Sequence, residues 1–332
     1  MAVHLTEKEN YLRLMNGEIP EFVPRYWATT WSCQPSGFAP KILPDGTFTN
    51  HFGVEHVSVP IANGGAMPRP DIVLLEDIRK WRDLIKRPAI LDEIDWPAMA
   101  KKDLADANPD LPRLGSGFLC HGYFQSLVSF MGFTGALIAC IEEPEEVKDL
   151  MHFLLEMNLE TGKKYLQYYK PDVFSFGDDI AHERSTFIST EVFLDIFEPV
   201  WRASTAIFKE AGLPAQHHNC GKFEAFVPYI VDMGFNAWEP AQVSNDLLGI
   251  KAKYGRKLAI GTGVHSSSVL SWPEITEERI RAEVRRVMDL YAPGGGYEFL
   301  GNLMGPPGDE LTTQRNEWIR DEYEKNKFKY YA

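Results

Sequence analysis

The stretch LPAQHHNCGKFEAFVPYIVDMGFNAWEP, Leu213–Pro240, decides how the chain is read. LPAQHHNC reads as a strand. KFEAFVPYIVDMG reads as a helix stopped by Gly234, and FNAWEP as the next short strand. The same alternation runs outward on both sides. Upstream, PDVFSFGDD reads as a strand ending in acids. It leads to EVFLDIFEPVWRASTAIFKEAG, a helix with Ser189 or Thr190 as its N-cap. Downstream, NDLLGIKAKYG reads as a helix and KLAIGTGV as a strand. In EITEERIRAEVRRVMDLYAPGGG, Ile280, Val284, Val287 and Tyr291 recur at helical spacing. YEFLGN then reads as a last strand before NEWIRDEYEKNK. Successive strand–helix units of this kind require parallel strands joined by crossover helices.

An open doubly wound sheet and a closed barrel both satisfy that pattern. A dinucleotide-binding sheet wants a GxGxxG turn after its first strand. GTGVHS at 261–266 has only two of those glycines and comes late, and GGG at 294–296 follows a helix. The fold expected is therefore an α/β (β/α)8 TIM barrel with N-terminal decorations, one barrel domain over residues 1–332. The first half is less regular. ILPDGTFTNHFGVEHVSV reads as a turn and an antiparallel hairpin, and the helix of EEPEEVKDLMHFLLEMNLETGKKYLQYYK starts near Pro144.

Composition limits the function. The 332 residues carry a net charge of −13, with no basic cluster interleaved with aromatics, so a nucleic-acid partner is not expected. No secretory signal is visible in MAVHLTEKENYLRLMNGE, which reads as an amphipathic helix. No apolar run reaches the ~18 residues needed to span a bilayer, so no membrane is expected. Cys33, Cys120, Cys140 and Cys220 are too scattered for a disulfide framework, and a cytoplasmic location is expected.

In a barrel, active sites lie at the C-terminal ends of the strands. The residues there are Asp178-Asp179, His218-Asn219-Cys220, Glu239, His265 and Gly301-Asn302. His218 and Cys220, two apart on a strand, face one side and offer zinc a nitrogen and a sulfur. A catalytic zinc site needs a third protein ligand, and Asp179 or Glu183 is expected to supply it. A buried cysteine beside a hydrogen-bonded histidine is the bland alternative. Asp179, Glu183 and His218 are the expected catalytic groups. Asp178 is expected at the substrate, with helix capping as its alternative. Trp27, Trp31, His121, Tyr123, Trp238 and His265 are the remaining substrate-binding candidates, each weighed against ordinary packing. No GxSxG elbow and no GxxxxGK[ST] loop occurs.

These residues resemble a known family. HHNCGKFEAFVPYIVDMGFNAWEP, GIKAKYGRKLAIGTGVHSSSVL, RVMDLYAPGGGYEF and FGDDIAHERSTFISTEVFLDIFEPVW are similar to the uroporphyrinogen decarboxylase superfamily. FGVEHVSVPIANGGAMP and DIRKWRDLIKRPAILDEIDW extend the likeness toward the N-terminus. The resemblance implies a barrel with its site at the C-terminal mouth. True uroporphyrinogen decarboxylases carry an RQAGRY-type motif whose arginines hold carboxylates. Here the stretch is VPRYWATTW, and Arg25-Tyr26 alone remains. The closer branch is the cobalamin-dependent methyltransferases, whose zinc motif resembles H-x-C followed by a distant Cys. His218 and Cys220 match the first two. Near YEFLGNLMGPP the chain has Gly301, Asn302 and Met304, and no Cys. The resemblance to the O-demethylase components implies methyl transfer from a methoxylated aromatic to cob(I)alamin on a partner corrinoid protein. Zinc or an acid would activate the leaving oxygen, and a homodimer is the expected assembly. The alternative is a metal-free decarboxylase of a smaller acid.

Overall fold

The computed structural model describes residues 4–26, 30–58, 66–120, 122–265, 269, 272, 274–306 and 308–331. Its main sheet has seven parallel strands. They are β1 (Trp31–Ser32), β5 (Arg113–Gly115), β6 (Val173–Gly177), β7 (Ala215–His218), β8 (Ala237–Glu239), β9 (Ala259–His265) and β10 (Tyr297–Asn302), adjacent in that order. The last five are the strands read from the sequence. A single parallel bridge from Arg25 to Phe299 links β10 back to the segment that precedes β1. The barrel expected to have eight strands thus has seven among the described residues, with the Arg25 segment at the seam. A separate antiparallel sheet, β2 (Phe48–Thr49), β3 (Glu55–Ser58) and β4 (Ala66–Pro68), is the expected hairpin with one strand added.

Among the helices around the strands are α1 (Glu7–Met15), α2 (Tyr123–Glu142), α3 (Pro144–Tyr169), α4 (Glu198–Glu210), α5 (Val227–Met233), α6 (Leu247–Tyr254), α7 (Glu277–Tyr291) and α8 (Glu310–Asn326). Side chains at their ends hold the orphan donors. Thr6 and Glu9 form a reciprocal capping box on α1, and Asp246, Thr276 and Asp309 cap α6, α7 and α8. Ser189 caps the segment before α4, as expected, but the helix there is not continuous. A π-helical run, Phe193–Phe197, precedes α4, and Pro199, which cannot donate to a carbonyl four residues back, falls in its first turn. α5 begins only at Val227, with Pro228 in its first turn, because Lys222–Phe226 is spent in turns. Gly234 ends it at φ 93°.

The core divides in two. The large cluster lies between sheet and helices. A smaller one fills the N-terminal end of the barrel, where Leu114, Val173, Ala237, Ala259 and Leu300 meet Tyr11, Leu14 and Met15 of α1. The apolar stripe of α1 closes this end, so only the C-terminal mouth is open to chemistry. One sequence expectation is corrected here. α2 is 20 residues long, with a mean hydropathy of 1.7 over its most apolar window, and so is long and apolar enough to cross a membrane. Its Leu127, Phe130, Met131, Ala136 and Cys140 pack into the main core, and Gly132 breaks its regular dihedrals at φ 70°. A buried core helix passes the same length and composition test. All four cysteines are free thiols.

Candidate active site at the barrel mouth

Parallel register sorts the mouth by face. His218 pairs with Glu239 and with Gly177, so all three point the same way, into the barrel. Cys220 follows two residues later, in the turn after β7. Gly221 makes that turn at φ 83°, where an added Cβ would lie 2.7 Å from the Ala181 carbonyl. Asp179 arrives from the end of β6. Asp179, His218 and Cys220 each offer a ligand atom, and these lie within 4.8 Å of one another. His218 Nε2 is 4.0 Å from Cys220 Sγ and 4.0 Å from Asp179 Oδ1.

The three are held from behind. The Cys220 backbone N–H donates to Asp179 Oδ1 at 2.7 Å, and Gln125 Nε2 donates to Asp179 Oδ2 at 3.3 Å. His218 Nδ1 is 2.8 Å from Glu239 Oε1, and Glu239 is only 1% exposed. A carboxylate behind Nδ1 fixes the imidazole so that Nε2 faces the mouth. Burial works to lower the His218 pKa, but Glu239, Cys220 and Asp179 outweigh it and hold it well above the ordinary value. Burial, with Asp179 and Glu239 nearby, pushes the Cys220 thiol up, against the pull of His218. The local field therefore favours positive charge at this point. One imidazole, one thiol and one carboxylate, arranged around a common centre, suit zinc with a fourth position left open.

Adjacent aspartates have opposite roles. Asp178 is fully buried and its oxygens are occupied. Oδ2 accepts from Tyr123 N at 2.8 Å, Phe124 N at 2.9 Å and Trp201 Nε1 at 3.0 Å, while Oδ1 accepts from Gln125 N at 3.0 Å. Burial raises its carboxyl to about 6, and these donors limit the rise. It anchors the start of α2 and leaves no oxygen for a substrate. The capping alternative describes it, although the helix capped is α2 and not the segment that follows in sequence. Gly122 is required beside it, since a Cβ there would lie 2.5 Å from Asp178 Oδ1.

Other expected site residues are dispersed. Tyr123 is buried, with its hydroxyl 2.6 Å from Ser204 Oγ. Trp238 is buried on the outer side of β8, donating to the Asn219 carbonyl at 3.0 Å. Trp31 packs with Trp96 and Tyr169 in a satellite cluster. Glu183 is exposed and is not in the donor group, so Asp179 is the third potential ligand brought to His218 and Cys220. His265 ends β9 half-buried, and burial lowers its pKa to about 4. Trp27 and His121 lie outside the described residues.

Two cavities meet at the site. The inner one, about 230 Å³, includes Asp179, His218, Ser116, Ser175, Gln125 and Gln34. The outer one, about 580 Å³, shares Gln34, Cys120 and Gln125 with it and is walled by Phe38, Phe48, Phe52 and Phe130 with His51 and His56. Phe48 and His56 stack face to face across β2 and β3, with centroids 4.6 Å apart. No Lys or Arg lines either cavity, and the residues outside the described set contain none. Arg25 donates to the Gly301 carbonyl at 3.3 Å and lies over the Tyr323 ring. Gln34, His51 and His56 are absent from the site expected from sequence. Glu239 was expected at its strand end, without an assigned role.

The family model for uroporphyrinogen decarboxylase (URO-D) matches residues 90–300, and the chain belongs to that family. Its fold is similar to that of a methyltransferase from Methanosarcina mazei, at 13% sequence identity and a TM-score of 0.62, covering 97% of this chain and 99% of that one. An AP endonuclease, family 2, from Brucella melitensis aligns at 11% identity over 69% of this chain and 84% of that one, with a TM-score of 0.38, too low to argue from. No curated protein is similar enough in sequence to count as a match.

Proposed function

We propose that this chain, acting as one barrel domain, is a methyltransferase that moves a methyl group from a methoxylated aromatic to cob(I)alamin carried by a partner corrinoid protein. The observation that carries the reading is the Asp179–His218–Cys220 group, of which Asp179 and His218 line the inner of two adjoining cavities whose walls are aromatic and polar, with no Lys or Arg. A decarboxylase of this family would have to seat a carboxylate. These walls hold no Lys or Arg to receive one, and the charge at His218 is already faced by Glu239 and Asp179. The family match keeps decarboxylation of a small acid as the rival reading. The Methanosarcina neighbour of similar fold is itself called a methyltransferase, which agrees with methyl transfer.

The chemistry assigned to the chain is orientation and leaving-group activation. The cobalt nucleophile forms the new Co–C bond, the C–O bond breaks, and its electron pair leaves on the phenolic oxygen. That oxygen must meet a cation or a proton. His218 Nε2, Cys220 Sγ and an Asp179 oxygen would hold one zinc ion, which when bound supplies Lewis acidity at the leaving oxygen. Glu239 holds His218 so that Nε2 faces outward. The Cys220 N–H and Gln125 hold Asp179. The phenylalanines of the outer cavity would take the ring and exclude water from it.

The test is incubation with a reduced corrinoid protein and a panel of methoxyarenes, methanol, methylamines and methyl thiols, read by cobalamin absorbance. Methylcobalamin formed from a methoxyarene, and lost in Cys220→Ala, is the expected result. No donor giving methylcobalamin, with carbon dioxide released from a small acid, would replace it with the decarboxylase reading.

A further inference from the structure

Below His218 the barrel interior holds a second carboxylate that the proposed chemistry does not use. Glu298, on β10, is paired in register with Gly261 of β9 and points inward. It is fully buried, and among the described residues the one polar group close to its carboxyl oxygens besides Glu239 is the Tyr11 hydroxyl, whose proton goes to Gln216. Glu239 Oε2 is also buried without a partner, while Glu239 Oε1 faces His218 Nδ1. The two acids are neighbours across Gly261. A Cβ built on that glycine would lie 2.6 Å from Glu239 Cβ and 2.8 Å from Glu298 Oε1. The glycine at this point leaves room for both side chains.

Glu239 is faced by one cation, His218, and Glu298 by none; two carboxylates cannot both stay charged in such a place on that one charge, and among the described residues no ion pair to Lys or Arg involves either of them. The titratable groups facing Glu298 are Glu239 on β8, Tyr11 on α1 and Tyr26 before β1. The Tyr11 hydroxyl donates to Gln216 Oε1 at 2.8 Å. None of these can supply positive charge. A proton satisfies the pair instead, since a protonated acid donates one hydrogen bond where a carboxylate only accepts.

We propose that Glu298 is a positioning residue of the mouth, a neutral carboxylic acid that donates to Glu239 Oε2 and so keeps Glu239 as the acceptor for His218 Nδ1–H. Burial, and then the charge of Glu239, raise its carboxyl to about 8, which agrees with a proton kept at neutral pH. The chain Glu298–Glu239–His218 fixes which imidazole nitrogen faces the mouth, whatever that nitrogen then binds. The inference does not rest on methyl transfer. Its test uses neither turnover nor metal.

The experiment compares the full chain with Glu298→Gln and Glu298→Leu. Infrared difference spectra at pH 7 should show the C=O stretch of a protonated carboxylic acid in the wild type, and that band should be missing from Glu298→Gln. Imidazole nitrogen NMR should find the same His218 Nδ1–H hydrogen bond to Glu239 in the wild type and in Glu298→Gln, whose amide also donates. That hydrogen bond should be disturbed in Glu298→Leu. The wild-type His218 resonances should carry an inflection near pH 8 that Glu298→Gln lacks. No acid band in the wild type, a band that survives Glu298→Gln, or a His218 spectrum identical in all three proteins would overturn the proposal. If Glu298→Leu fails to fold, the band and the inflection in Glu298→Gln still decide.

Discussion

The two ends of the barrel interior are built on the same strands and do opposite things. At the N-terminal end the inward residues are Leu114, Val173, Ala237 and Ala259, covered by Leu14 and Met15. Two residues further along β8, Ala237 gives way to Glu239. Two further along β9, Ala259 gives way to Gly261. Inward side chains recur every second residue, so a single step of that period converts packed hydrocarbon into a polar site. The lesson is that the apolar end supplies the rigidity, and the mouth can then carry groups that contribute little to stability. Asp178 and Asp179 repeat the contrast within one dipeptide.

That contrast predicts a ranking of effects. Asp178→Ala should be the most damaging substitution, leaving three buried N–H groups and the Trp201 indole without their acceptor. A loss of about 4 kcal/mol or more in chemical denaturation is expected, since hydrogen bonds to a charged group contribute ~1.5–3 kcal/mol each. A loss as small as that of Asp179→Ala would break the contrast. Cys220→Ala and Asp179→Ala should change stability by less than about 1 kcal/mol but weaken zinc on the order of 100-fold, followed by a chelator competition. Equal zinc affinity in wild type and variants would remove the metal from the site.

Glu298→Gln comes third, and its sign depends on pH. The carboxyl is raised from an ordinary 4.5 to about 8, so its contribution to stability is fully present below pH 4.5 and lost as pH rises through 8. The glutamine variant cannot titrate. Relative to wild type it should gain stability between pH 5 and pH 9, by about 2 kcal/mol or more, since each pKa unit corresponds to about 1.4 kcal/mol. Melting temperatures at the two pH values check it, and a difference independent of pH would show that Glu298 holds no extra proton. Tyr11→Phe is the smallest, about 1 kcal/mol, because it removes one buried hydrogen bond to Gln216 where α1 meets the polar layer.

Much of this was legible in the sequence because both periodicities were clean. Five strands were read where they occur, and the ends of those strands held Asp179, His218, Cys220 and Glu239. The Ser189 cap was also readable, since a cap depends on its neighbours within a turn. The aromatic wall was not. Trp31 and Trp238 look like pocket residues by type, but alternation on their strands turns both outward. The phenylalanines of the outer cavity come instead from the 36–56 segment and α2, joined only by the path of the chain. Glu298 was a charge in an inward position of YEFLGN, yet its meaning depends on Gly261 in the next strand.

The sequence by itself determined the order of strands and helices, an amphipathic helix at the N-terminus, and a His-x-Cys pair at a strand terminus. These follow from local spacing and from the two-residue and 3.6-residue repeats. The tertiary structure decided which aspartate joined that pair, that Asp178 anchors α2, that no cationic side chain lines the cavities, and that Glu298 sits behind Glu239. Those are distances between residues 20 to 60 positions or more apart in the chain, set by barrel register and closure, and local spacing carries no record of them.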